Sequence, residues 1–412
     1  MSSWTGGIGT VGRRVLELAV LVLLLAIAIG TVRLSLNRPW DTETYWYAAV
    51  AQSQGLNPYD KQDLSLLAHR DVGMGFLYPP ITLPLFKTLT LWPVLEAAEI
   101  WAIAKVALLF VLVQLWRSRF TVRTNPFLLE MAAVFGYNAA ALWDIKTGNI
   151  AILEQLLLWA GLAAFLGGHR RRFAAWVVAA SLFKLTPIVF LALLLIPTQT
   201  GRRDWKLALG ALGVWAALVF LPALVGPAWC RAYLHSLPAE RPWGTASPSA
   251  LGLIDMLLAE HTKPLAAPSW RALAIWLSYA VLLLAFSAQH IKRLWKGQNP
   301  LECVSVAAIL YALLAPRMMA YSYLLVVVPS LVLFSPILSR LGGTIAMTGI
   351  LTSQAVLAPV LRLDYADPWL ANLPFLLLLG LWVAYIVGSW RLAPIPAVRR
   401  GSVLRELKEA RS

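Results

Sequence analysis

The feature that most constrains this chain is the recurrence of apolar runs of about 16 to 22 residues, separated by short polar or basic stretches. A helical run of that length reaches across most of a bilayer's hydrocarbon core, and backbone inside the core must satisfy its own hydrogen bonds. The fold class expected is therefore an all-α polytopic membrane protein. Only 13% of the 412 residues are charged, too few to solvate a soluble chain of this length. The net charge of +15 is explained by where the cations sit. Of the 35 Lys and Arg, 21 fall at seven places: Arg13 and Arg14; Arg117, Arg119 and Arg123; Arg170 to Arg172; Arg202, Arg203 and Lys206; Lys292, Arg293 and Lys296; Arg340; and six from Arg391 onward. These clusters flank apolar runs, the pattern of cytoplasmic loops facing anionic lipid rather than of a nucleic-acid surface.

Two cysteines, Cys230 and Cys303, lie in unlike segments and provide neither a disulfide framework nor a metal motif. The five His are scattered, which argues against a His-based metal site. The run after Arg13 and Arg14 continues to about Val32 without a small-residue cleavage site and reads as a retained signal anchor.

Charge placement then orders one integral membrane domain over residues 1–412. A first extracytoplasmic loop spans 33–94, a second outer loop 226–268, and a basic cytoplasmic tail 391–412. Residues 41–54 space Tyr45, Ala48, Ala49 and Gln52 as a helix lying at the interface. Phe76 to Pro93 is apolar but holds four prolines and Lys87. Counting it as a span would put the 117–123 basic loop outside, so it is expected to be a juxtamembrane piece. Spans are expected at about 95–116, 126–143, 149–167, 207–225, 270–290, 300–315, 322–337, 343–361 and 370–390. Residues 173–197 have basic flanks on both sides and Pro187 inside, so two half-helices meeting near Lys184 are expected there. The total is about 12 membrane helices with both termini cytoplasmic.

Asp41 is the first candidate for chemistry: a carboxylate just past a hydrophobic span, in a chain with few acids. The bland alternative is a helix cap, since Asp before a helical stretch accepts backbone N–H bonds. Glu43 is a possible second carboxylate, more simply solvated. Lys184 lies deep in its apolar run, where a cation needs a polar partner or cavity. Arg317 sits at an outer boundary, where snorkelling to headgroups competes with function. A carboxylate and two cations on the outer half would suit a phosphate-bearing lipid reacting there. Asn149 and Ser247 with Ser249 stand at outer ends of helices, where capping is the simpler role. Trp243 and Trp369 read as interfacial-belt residues.

The ordered stretches DTETYWYAAVAQSQGLNPYD, FLYPPITLPLF, TGNIAILEQLLL, SLFKLTPIVFLALLL and SPSALGL resemble the polyprenol-phosphate-mannose-dependent alpha-1,2-mannosyltransferases, glycosyltransferase family 87, over about residues 15–330. The resemblance implies a GT-C architecture with juxtamembrane helices in the first outer loop and a lipid-phosphate sugar donor, in a bacterial inner membrane. It also implies that Asp41 stands at the general base, that Tyr45, Asn57, Pro58, Tyr59, Tyr78, Pro79 and Pro80 fall on the first-loop signatures, and that Lys184 is the intramembrane lysine. Many members carry a His-containing motif late in the chain where this sequence has APRMMAYSY. Arg317 and Tyr321 are expected to make phosphate or sugar contacts in its place.

The expected activity is therefore an inverting transfer of a sugar, mannose by resemblance, from a polyprenyl-phosphate donor to a lipid-linked or glycan acceptor on the outer face. The expected pocket comprises Asp41, Glu43, Tyr45, Asn57, Tyr59, Tyr78, Asn149, Lys184, Ser247, Arg317 and Tyr321. No cofactor is expected, since a lipid-borne donor needs no nucleotide site and no GxGxxG opens a helix after a strand; assistance by a divalent ion stays open. Two rivals come from other classes. A lipid-linked-sugar flippase would use Lys184 and Asp41 as coupling charges and show broken helices in matching halves, and an envelope-assembly scaffold would need neither.

Overall fold

The computed structural model describes residues 26–27, 29–30, 32–33, 39–72, 75–121, 124–196, 203–239, 247–258, 268–295, 299–338, 342–360 and 367–391. Most of the expected anchor helix, Arg123, Arg202, Trp243, Arg340 and the tail beyond Arg391 lie outside the described residues. Among those described, the ordered elements are all helical. Three helices are long and apolar enough to cross a membrane: Val94–Arg119, Trp205–Leu224 and Trp270–Lys292. The first shows how sequence sets such a span. Pro93 precedes it, Glu96 lies in its first turn, and Arg117 and Arg119 close its last. Acid at the N-terminus and base at the C-terminus both complement the helix dipole.

The expected all-helical class with several apolar spans is matched among the described residues, whereas the expected count of about 12 membrane helices is not reached by length and composition. Helices occupy the expected apolar stretches among the described residues, but Pro300–Leu314, Ala320–Pro336 and Leu373–Gly388 are shorter apolar elements. The span expected at 126–143 is not a straight helix. Within Pro126–Thr147, Gly136 is extended and Tyr137, Asn138 and Ala139 have φ of 50°, 61° and 56°. Left-handed residues other than Gly cost roughly 1–2 kcal/mol each, so packing must hold this break; Tyr137 is fully buried, its hydroxyl bonded to Ser330 Oγ and its ring 5.5 Å from Tyr323. Pro126–Thr147 and the next helix, Ala151–Leu166, meet at a bend of 119°.

Arg170–Ser181 is a helix and Thr186–Leu195 a 3-10 helix, with the break falling at Leu182 to Leu185. Arg170 donates to the carbonyls of Leu194 and Ile196, both at 3.3 Å, and its Nε lies 3.3 Å from Asp204 Oδ2. The two ends of the segment thus lie side by side, and the chain turns back near Lys184. Residues 76–93 form no span-length helix but three short helical pieces, Pro80–Thr82, Leu83–Phe86 and Lys87–Leu91.

Two separate cores result. A large one joins the apolar helices. A smaller one gathers Tyr45, Ala48, Tyr59, Leu64, Phe76, Phe86, Ile150 and Tyr233 around the first-loop helix Trp40–Ser53. Small Ala48, Ala49 and Ala51 let that helix pack closely, while Tyr45 stacks on Phe86 at 4.3 Å. Trp46 Nε1 ties the helix to the carbonyl of Trp92 at 2.9 Å. The candidate site lies at the edge of this smaller core.

Candidate active site

Asp41 is the second residue of the Trp40–Ser53 helix, and that helix has no side-chain cap. The capping alternative is thereby removed. The carboxylate instead reaches across 108 positions of sequence, where its Oδ2 accepts from Asn149 Nδ2 at 3.1 Å. Only 8% of Asp41 is exposed. Burial raises its carboxyl pKa from 3.8 to about 6, against the lowering effects of the Asn149 bond and the charge of Lys105.

Local chain geometry aims Asn149. Gly148 ends the preceding helix at φ 77°, a left-handed conformation that favours Gly. A Cβ there would also collide with Thr42 Oγ1. Because the chain can pass so close to the first-loop helix, Asn149 lands beside Asp41. Its Oδ1 accepts from Ala151 N at 3.1 Å, which turns the amide so that Nδ2 faces the cleft. The bond to the helix start and the contact with the site are thus made by two ends of one side chain.

Nδ2 also lies 3.2 Å from Tyr78 Oη and 3.0 Å from Tyr321 Oη. Two hydrogens serve three oxygens, so the phenols share what Asp41 leaves. Tyr45 Oη adds a 2.8 Å bond to Tyr78 Oη, and burial raises the pKa values of both phenols. They act as hydrogen-bonding hydroxyls, not as bases.

Arg317 and Tyr321 arrive from APRMMAYSY. Ala315 ends the Pro300–Leu314 helix in an extended conformation before Pro316. Arg317 and Met319 lie in the non-helical stretch that follows and Tyr321 in the first turn of the 3-10 helix Ala320–Val326, and all three reach the cleft. Together with Asp41, Thr44, Tyr45, Gly75, Leu77, Tyr78 and Asn149 they line a small cleft that opens to solvent.

Lys184 stands just behind this wall. Its Nζ lies 4.9 Å from the Tyr321 ring centre, 3.0 Å from Glu154 Oε2 and 3.3 Å from Ser322 Oγ. Glu154 is 2% exposed, whereas the lysine side chain keeps 21% exposure.

Asp41, Tyr45, Tyr78, Asn149, Arg317 and Tyr321 are therefore brought together, with Lys184 adjacent. Besides Lys184, four expected residues are not on the cleft wall. Glu43 is buried and ion-paired with Arg70 rather than solvated. Asn57 Oδ1 accepts from Tyr59 N at 3.1 Å and shapes the turn. Tyr59 Oη donates to the Tyr78 carbonyl at 3.0 Å, supporting the wall from behind. Ser247 is wholly buried, while its neighbour Ser249 makes the cap to Gly252 N and donates to the Pro316 carbonyl. Asn57 and Tyr59, which fall on the first-loop signatures, thus contact the loop backbone rather than the cleft.

Sequence reading missed Glu154 and a buried ion pair between Lys105 and Asp144, at 3.0 Å with neither side chain exposed. All three were visible by the rule that singled out Lys184, since each is a charge in or beside an apolar run. Among the described residues no three His, Cys, Asp or Glu side chains are grouped to hold a metal.

The sequence model of glycosyltransferase family 87 matches residues 76–316, more than half of the chain. That match includes Tyr78, Asn149, Glu154 and Lys184; Asp41 precedes it, and Arg317 and Tyr321 follow it directly. No curated protein and no solved structure matches the chain. With its apolar helices and this match, the chain belongs to glycosyltransferase family 87, a family of multi-pass membrane glycosyltransferases.

Proposed function

We propose that the protein transfers a sugar, mannose by family resemblance, from a polyprenyl-phosphate donor to a hydroxyl of a lipid-linked or glycan acceptor at the outer membrane face, with inversion. The observation that carries this reading is one cleft wall holding a buried carboxylate, three phenols and a guanidinium. Asp41 accepts the acceptor's hydroxyl proton as the oxygen bonds to the anomeric carbon. The bond from that carbon to the phosphate oxygen breaks, and its electron pair leaves with polyprenyl phosphate. Arg317 opposes the charge on the leaving phosphate, with Lys184 as a second cation behind Tyr321.

A phosphate leaving group needs no proton, so one base and flanking cations suffice, unlike the two carboxylates of a glycoside hydrolase. A carboxyl raised to about 6 is still ionised at neutral pH and is a stronger base than an ordinary one. Asn149 holds Asp41 in register, and the phenols sharing its amide are free to turn toward sugar hydroxyls.

The test is product analysis with purified protein, a polyprenyl-phosphate mannose and a membrane-glycolipid acceptor fraction. A new glycosidic bond with the anomeric configuration opposite to the donor's is expected. Retained configuration, or movement of the donor across vesicles with no new bond, would overturn the proposal.

A further inference from the structure

The proposed transfer leaves two buried charges without a role. Lys105 and Asp144 pair at 3.0 Å with neither side chain exposed, and Lys105 Nζ also donates to the backbone carbonyl of Asp144. An ion pair taken out of water is a weak source of stability, because desolvation offsets its attraction. Its geometry here is more informative. The Asp144 carboxylate accepts from Ala151 N at 3.2 Å and Ile152 N at 3.3 Å, bridging the end of one helix to the start of the next. Between these anchors lies the Thr147 to Ile150 turn that carries Asn149.

The same helix grips the turn again. Trp101, one turn before Lys105 on Val94–Arg119 and so on the same face, donates from Nε1 to the Gly148 carbonyl at 2.8 Å. Thr42 Oγ1, beside Asp41, also donates to that carbonyl at 3.5 Å. The peptide that leads into Asn149 is thus held from two helices, Val94–Arg119 and Trp40–Ser53, which fixes where its amide meets Asp41.

We propose that Trp101, Lys105 and Asp144 are positioning residues that hold the Asn149 amide on the Asp41 carboxylate, although none of them lines the cleft. The inference rests on the transfer reading above. The charged and titratable groups around Asp41 are Lys105 and Asp144 behind it and Tyr45, Tyr78, Tyr321 and Arg317 on the cleft side. Lys105 is the cation among them that opposes protonation of Asp41.

The test uses full-length protein in lipid nanodiscs with a short-chain polyprenyl-phosphate mannose and a membrane-glycolipid acceptor fraction, following release of polyprenyl phosphate across pH. The double variant Lys105→Met/Asp144→Asn removes the pair without leaving a lone charge. Its kcat is expected to fall about tenfold to a hundredfold, the scale of a small displacement of a catalytic group, while KM stays within about twofold because no cleft wall changes. Lys105→Met alone is expected to move the acid limb of kcat to higher pH, a shift that a purely structural role would not produce. Should the double variant not fold, Trp101→Phe decides, because it removes one hydrogen bond from a half-buried ring; a fall in kcat at constant KM is again expected. Wild-type kcat in whichever folded variant is measured overturns the inference alone. A wild-type protein that releases no phosphate overturns the transfer reading, and the inference with it.

Discussion

Replacing Asp41 by Asn is expected to make the protein more stable while removing its activity. The reasoning starts from burial. The Asp41 carboxyl pKa is raised from 3.8 to about 6 by loss of water, despite the Asn149 bond. A raised carboxyl pKa means the fold favours the neutral acid, so keeping the charge costs stability wherever the group is ionised in both states. Two units correspond to about 3 kcal/mol. That cost is complete above about pH 6, shrinks as pH falls toward 3.8, and is absent below it. Asn mimics the neutral acid, and its Oδ1 still accepts from Asn149.

At pH 8 the variant should therefore unfold about 3–4 °C higher than wild type, from an unfolding entropy of about 2.1 cal/mol/K per residue over 412 residues. Near pH 4 the difference should vanish. Thermal unfolding in detergent, followed by tryptophan fluorescence for both proteins at each pH, measures the difference directly. A variant less stable than wild type at pH 8 would refute the reasoning, and so would a gain that does not depend on pH. A group held at an energetic cost beside a cleft is the expected signature of a working residue.

Other outcomes follow from the same geometry. Donor turnover should fall about tenfold per pH unit below about pH 6, because the base must be unprotonated to act; a rate unchanged from pH 7 to 5 would contradict this. Gly148→Ala places a Cβ against Thr42 Oγ1 at φ 77°. It should destabilise by about 2 kcal/mol and lower kcat, measured as melting temperature and turnover. Arg317→Gln should lower kcat/KM for the donor about a hundredfold, the worth of a charged hydrogen bond of about 3 kcal/mol, with partial recovery in Arg317→Lys.

What could be read from sequence divides by the range of the interaction. Apolar runs and basic clusters are local records of the bilayer, so the helical membrane class and the interruption near Lys184 were legible. Asp41, Arg317 and Lys184 were legible as charges where a charge is costly. The partnership between Asp41 and Asn149 was not, since it depends on Gly148 passing beside Thr42, and no spacing encodes that approach. Asn149 looked like a cap, and its Oδ1 does accept from Ala151 N at the helix start, but its other end carries the contact. Glu43 was misread as solvated because Arg70, which neutralises it, lies in a different helix-to-loop segment. Asn57 and Tyr59 belong to the first-loop signatures yet serve the turn and the Tyr78 carbonyl rather than the cleft. The left-handed break at Tyr137 to Ala139 has Gly136 and Asn138 as local signals, but two such residues inside an apolar run do not specify it and packing holds it in place.

The central claim is that Asp41 is the base of sugar transfer, and turnover of a polyprenyl-phosphate sugar by folded Asp41→Asn tests it most directly. Asn keeps the shape and the hydrogen bond from Asn149 but cannot take a proton, so a loss of about a hundredfold to ten-thousandfold in kcat, the usual contribution of a general base, is predicted with the melting temperature maintained or raised. Turnover near that of the wild type in the folded variant would contradict the account.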